Sequence, residues 1–258
     1  MKITCIIENT SVREDITAEH GLSLFIETDK HKILFDMGQS ELFCQNADRL
    51  GINIADADIA VLSHGHYDHG GGLKKFLSVN RKAPVYISKH AFDPYYNINE
   101  KYLGLDVSLK ENDRFIFTDA AYSIDDTLTL YHCNDREKYT DLGSFGLTML
   151  RDEHMLPDDF RHEQYLLIEE KGKRILISGC SHKGILNIVR WFEPELLIGG
   201  FHFSKLPLDS VLSGYASELD KHNTLYYTCH CTGTAQYEFM SRYMRNLNYL
   251  SAGQSIEI

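Results

Sequence analysis

Three histidines and one aspartate fall within six residues in Ser63-His64-Gly65-His66-Tyr67-Asp68-His69-Gly70-Gly71-Gly72. Neutral imidazole nitrogen and carboxylate oxygen are donors that suit Zn²⁺, Fe²⁺ or Mn²⁺ at about 2.0–2.2 Å. His64 and His66 can project from a turn toward one ion, while Asp68 and His69 swing to the other side toward a second. Gly65 and the three glycines after His69 let the backbone turn sharply without Cβ clashes. Two divalent ions about 3.5–4 Å apart can share a water, lower its pKa toward neutrality and stabilise an oxyanion or a phosphoryl oxygen. That chemistry is hydrolysis, of an ester, amide, thioester or phosphodiester.

Such a cluster needs a rigid strand end to hold it. Residues 59–63 read as a strand running straight into His64, followed by a helix from about 71 to 79 and a strand over 84–88. Upstream, the apolar runs 2–8, 22–28 and 32–36 have strand length and read as an opening meander. A helix over 40–50 follows, with Gly51 at its end. Downstream, strands over 127–132, 163–169 and 173–178 look antiparallel. Helix 183–192, strand 195–200, helix 208–222, strand 224–229 and helix 234–245 then alternate. Mixed strands with helices among them predict two sheets packed face to face and covered outside by helices. No linker or repeat interrupts the chain, which reads as a single domain over 1–258. An irregular excursion at about 89–125, with Tyr95, Tyr96 and Tyr102, has the length of a lid, a substrate wall or a contact surface.

Composition narrows the function classes. The 258 residues carry 26 Lys+Arg against 37 Asp+Glu, a net charge of −11. That balance argues against nucleic acid as a partner, since phosphate backbones are gripped by basic patches. The N-terminus lacks the apolar core of a signal peptide, and no stretch approaches the roughly 20 apolar residues of a membrane span, so a cytoplasmic protein with no membrane partner is expected. A chain of this length buries a core without disulfide staples. The six cysteines then read as free thiols or ligands, with Cys5 and Cys44 as core residues.

The pattern H-x-H-x-D-H closely resembles the signature of the metallo-β-lactamase superfamily, and Phe35-Asp36-Met37-Gly38 looks like that family's early strand-end Asp and Gly. The resemblance implies an α+β fold, a four-layer αβ/βα sandwich of two mixed β-sheets flanked by helices, with two divalent ions. Zinc is expected first, with iron or manganese as alternatives. It implies that Asp36 orients the ligand loop through hydrogen bonds. Ser178-Gly179-Cys180-Ser181-His182 occupies the place of a bridging Asp, where some relatives carry a Cys, so Cys180 is an implied ligand; an inert buried thiol is the alternative. Thr228-Cys229-His230-Cys231-Thr232-Gly233 resembles the strand end whose His, here His230, completes the second ion's ligands. Cys229 and Cys231 would share the opposite strand face and read as packing residues. His202, in Gly199-Gly200-Phe201-His202, matches a His beside the metals in related tRNA-processing endonucleases, and could be a general acid or substrate contact. The family's further His in a Gly-His-Thr setting is absent. Counting back from strand 165–169 favours Asp159 as its replacement, slightly ahead of His162.

The first functional reading is a metal-dependent hydrolase of a small, anionic or phosphate-bearing molecule. Asp68 would bind metal and orient the water, and His202 would protonate the leaving group. His182 and Lys183 open a helix whose N-terminal amides could hold a phosphate, and Tyr67 could stack a planar ring. The set SHGHYDHGGGL, GCSH, GGFH and HCTG looks most like the dihydropterin ribofuranosyl-aminobenzene 5′-phosphate synthase-like branch, which makes a pterin-related transferase the alternative. A non-hydrolytic iron redox or ligand-sensing protein on the same fold is the third reading. A homodimer through the excursion is the partner arrangement the sequence leaves open.

Overall fold

Short apolar runs bounded by Gly, Asn and Asp become strands, and their branched and aromatic residues are buried. In the computed structural model, which describes residues 1–258, the chain forms two compact units. The first comprises Met1–Asp119, Ser144–Gln164 and Ser251–Ile258; the second comprises Ala120–Gly143 and Tyr165–Leu250. Both are discontinuous in sequence, which is why no linker composition marks them.

The first unit is built on a seven-stranded sheet. Its order is Ser255–Glu257, Lys2–Ile7, Ser23–Glu27, Lys32–Phe35, Ile59–Val61, Val85–Ser88 and Phe115–Thr118. The expected meander is antiparallel, and pairing turns parallel from Lys32–Phe35 onward. Parallel neighbours need crossovers, supplied here by helices Leu42–Arg49 and Leu73–Val79. These helices bury Phe43, Ala47, Leu73 and Phe76 against Leu34, Leu62, Val85 and Ile87. A smaller sheet joins Tyr95–Tyr96 to the hairpin Thr148–Arg151 and His154–Pro157. That hairpin was not legible as such, because its second strand is exposed at every position and shows no alternation. The helix expected from about 71 to 79 is Leu73–Val79, and a separate short helix, Tyr67–Gly70, that was not expected precedes it across the glycines.

In the second unit seven strands run in the order Leu247–Tyr249, Leu225–Thr228, Leu196–Gly199, Lys173–Ile177, Tyr165–Glu170, Leu128–Tyr131 and Ala121–Ser123. Four are parallel and the rest antiparallel, so both large sheets are mixed, as expected. Helix Ile185–Phe192 buries Ile185, Ile188, Val189 and Phe192, the spacing of one helical face. It ends at Glu193 in the left-handed region, directly before Pro194. Helix Ser210–Leu219 is capped by Asp209, whose side chain accepts from the amides of Val211 and Leu212. No helix is long and apolar enough to cross a membrane.

Candidate metal centre

In the first unit the histidine loop hangs from the end of strand Ile59–Val61 and is fixed by Asp36. This residue follows the neighbouring strand with φ 57°. Its carboxylate accepts from the Ser63 amide at 2.7 Å, from Ser63 Oγ at 2.7 Å and from His69 Nδ1 at 2.6 Å. The role inferred for Asp36 is the one it occupies. A carboxylate can only accept, so Nδ1 of His69 carries the proton and Nε2 keeps the lone pair. Ser63 Oγ spends its hydrogen on Asp36 and so accepts from His64 Nδ1 at 2.8 Å, which again leaves Nε2 as the basic nitrogen. Two imidazoles thus have their tautomers assigned by one buried carboxylate.

Asp68 Oδ2 stands 3.8 Å from His69 Nε2, a separation that bonds of about 2.0–2.2 Å to one ion can span. His20 Nε2 lies 3.3 Å from the same oxygen; nothing in its sequence spacing singles it out. The loop also depends on close backbone approach. A Cβ at Gly65 would lie 2.2 Å from Ala91 O, and one at Gly21, with φ 145°, would lie 2.4 Å from Asp68 O.

Asp159 is a correction. It is exposed, and its carboxylate is taken by Arg151 at 2.8 Å and Arg161 at 2.7 Å. The buried carboxylate is its neighbour Asp158, whose Oδ2 is 3.7 Å from His66 Nε2 and 3.2 Å from His162 Nε2. Adjacent residues leaving a hairpin point in different directions, and the hydropathy of Asp158-Asp159 cannot say which turns inward. Burial would raise the Asp158 carboxyl, but the two neighbouring imidazoles, His162 and His66, outweigh it and hold it below the usual carboxylate range.

His66, Asp158 and His162 bring ligand atoms within 4.8 Å of one another. His162, however, accepts the Gly65 amide on Nδ1 at 2.8 Å and therefore carries its proton on Nε2, toward Asp158. Coordination through that nitrogen would require an imidazolate. Its ring is also stacked on Tyr95 at 3.9 Å. The geometry makes His162 a support for the loop and leaves the buried Asp158 carboxylate beside His66. Gln164 completes the support. Its amide donates to Ser63 O at 2.8 Å and its side chain donates to Leu62 O at 2.7 Å.

The second unit gathers its own set. Cys180, His202 and Cys231 place Sγ, a ring nitrogen and Sγ within 4.8 Å of one another. Cys231 corrects the strand-face argument. The strand stops at Thr228, His230 has φ 49°, and His230–Thr232 is a turn of 3₁₀ helix, so alternation no longer governs where the thiol points. Burial would raise that thiol, but hydrogen bonding with Cys180 and His202, and the charges of His202 and His230, hold it well below its ordinary range. The His182 ring lies 4.3 Å from that of His202. Helix Ile185–Phe192 starts after Lys183, not at it, with Gly184 as its first cap. Lys183 is buried with its ammonium 5.7 Å from the Tyr165 ring centroid. In the first unit, Tyr67 lies under Lys101 at 5.4 Å.

The sequence profile described as the Metallo-beta-lactamase superfamily matches residues 16–213. The chain belongs to that superfamily. It has the metallo-β-lactamase fold, an α+β fold whose members are generally metal-dependent hydrolases. A curated protein of Methanocaldococcus jannaschii that bears no functional name is 30% identical over 99% of this chain and 100% of its own length. A second from that organism, 7,8-dihydropterin-6-methyl-4-(β-D-ribofuranosyl)-aminobenzene-5′-phosphate synthase, is 28% identical over 93% of this chain and 90% of its own. Among solved structures, Tm1679, described as a metal-dependent hydrolase of the β-lactamase superfamily, superposes with a TM-score of 0.84. It is 28% identical, and the match covers 100% of this chain and 99% of that one.

Proposed function

We propose that this superfamily member is a metal-dependent hydrolase of a small anionic substrate, with phosphate esters as the favoured class. The carrying observation is the pair of locked imidazoles. Asp36, directly for His69 and through Ser63 for His64, leaves each Nε2 as a lone-pair donor, with Asp68 Oδ2 beside one of them. This donor set fits divalent zinc first, and iron or manganese next. The proposed ligands are His64, His66, Asp68 and His69, with Asp158 replacing Asp159, and with Cys180 and His230 retained from the family resemblance for a pair of ions.

Bound divalent ions supply a Lewis acid for a carbonyl or phosphoryl oxygen and make a water acidic near neutral pH. The chain's own contribution is to hold tautomers fixed, to keep the loop rigid through Gly65 and His162, and to orient the attacking water through the second oxygen of Asp68. Lys183, His182 and Tyr67 are the proposed substrate contacts. An anion must be drawn to a protein of net charge −11 by local positive charge, which Lys183 and bound divalent ions would provide. The test is turnover of a panel of phosphate esters, thioesters and lactones in ¹⁸O-water by chelator-stripped protein reloaded with Zn²⁺, Mn²⁺ or Fe²⁺. One solvent oxygen per product, lost in a His64→Ala/His66→Ala variant, is expected. Metal-independent turnover would refute the reading.

The relation to the pterin-phosphate synthase over 93% of this chain favours a second reading, a transferase acting on a phosphate-bearing aromatic amine. Product that carries no solvent oxygen and forms only with a second organic substrate would select it.

A further inference from the structure

We propose that Cys180, His202 and Cys231 together form a thiolate and imidazole site for one borderline or soft divalent ion such as Zn²⁺. Of the hydrolase ligands only Cys180 belongs to it, so the inference goes beyond that reading by adding Cys231 and His202. The three donor atoms lie within 4.8 Å of one another. Metal–sulfur bonds of about 2.3 Å and a metal–nitrogen bond of about 2.0–2.1 Å to one centre hold such atoms no more than about 4.4–4.6 Å apart, inside that 4.8 Å limit.

Cys231 Sγ is held by two backbone groups, donating to Cys180 O at 3.4 Å. Its Sγ accepts from the His202 amide at 3.3 Å. A Cβ on Gly200 would come within 2.3 Å of that sulfur, so glycine at that position leaves the space it fills. Cys133, by contrast, sits in the apolar core of the same unit, while Cys180 and Cys231 face an imidazole. Cys180 and Cys231 are 3% and 7% exposed, which shields both thiols from water.

Backbone strain marks the same place. Ser181, His202 and His230 all have left-handed φ, at 58°, 58° and 49°. Each is a non-glycine residue beside or within the trio, and strain of this kind concentrates where side chains must be aimed. On binding, the two thiols release their protons to solvent and two metal–sulfur bonds form. A ring nitrogen engaged by metal cannot also deliver a proton, so His202 becomes a ligand and not the leaving group's acid.

Cobalt substitution reads this directly. Co²⁺-loaded full-length protein should show sulfur-to-cobalt charge transfer in the near ultraviolet. Cys231→Ser should remove about half of that intensity, Cys180→Ser the other half, and Cys229→Ser none. His202→Gln should shift the visible ligand-field bands. Zinc-edge X-ray absorption on the unmodified protein, which needs no variant to fold, should show two sulfur scatterers near 2.3 Å. No sulfur shell, one sulfur only, or a Cys231→Ser spectrum identical to wild type overturns the proposal, as does a His202→Gln spectrum without a shift. In His64→Ala/His66→Ala the sulfur band should persist. Loss of hydrolysis with that band intact separates the imidazole cluster's role from this one.

Discussion

Asp36 Oδ2 lies 2.6 Å from His69 Nδ1, with both side chains wholly buried. The same carboxylate receives Ser63, which in turn sets His64. One side chain thus governs the tautomers of two proposed ligands. Asp36→Asn should lower metal affinity by about 10- to 100-fold, measured by competition with a chromogenic chelator. Unchanged affinity would deny Asp36 this orienting role.

Asp158 and Asp159 are neighbours with opposite surroundings, one buried between two imidazoles and the other exposed between two arginines. A buried hydrogen bond to a charged carboxylate contributes about 1.5–3 kcal/mol, whereas exposed pairs contribute about 0–1 kcal/mol. Asp158→Asn should therefore produce a large drop in urea midpoint and reduced metal content. Asp159→Asn should shift the midpoint little and leave metal content unchanged, and a metal-deficient Asp159→Asn protein would reverse this assignment.

The Asp159 pair also carries a pH signature. Burial would raise this carboxyl, but the hydrogen bonds from Arg161 and Arg151 outweigh it and lower it from its ordinary value. A depressed carboxyl stabilises the fold fully above its unfolded value of about 3.9 and loses that contribution as pH falls through the folded value. The stability gap between wild type and Asp159→Asn should be flat from neutral pH down to about 5 and close below it. Urea midpoints across that range measure the gap; one that widens in acid would contradict the mechanism.

Two glycines should respond in opposite directions to alanine. At Gly65 the new Cβ would stand 2.2 Å from Ala91 O, so the ligand loop must shift, at a cost of about 1–3 kcal/mol and a loss of metal affinity. At Gly214, inside helix Ser210–Leu219, nothing lies within 4 Å. There alanine should add about 0.5–1 kcal/mol through helix propensity. Thermal melts of the two variants check both signs.

Much of the molecule is written locally. The ligand density of His64, His66, Asp68 and His69 is a property of six residues at a strand end. The strand Ile59–Val61 and the amphipathic helix Ile185–Phe192 follow from patterns of a few residues, because short-range periodicity decides which face can be buried. The role of Asp36 was legible for the same reason, as an acid at the end of an adjacent strand. Tertiary structure decided what local pattern could not. It chose Asp158 over Asp159, since two adjacent aspartates have the same hydropathy and only packing against His66 and His162 distinguishes them. It turned Cys231 toward Cys180 and His202, because the strand stops at Thr228 and a 3₁₀ turn opening on the left-handed His230 replaces the alternation. It also divided the chain at points without composition signals, because compactness depends on contacts between distant segments and leaves no trace in any single one.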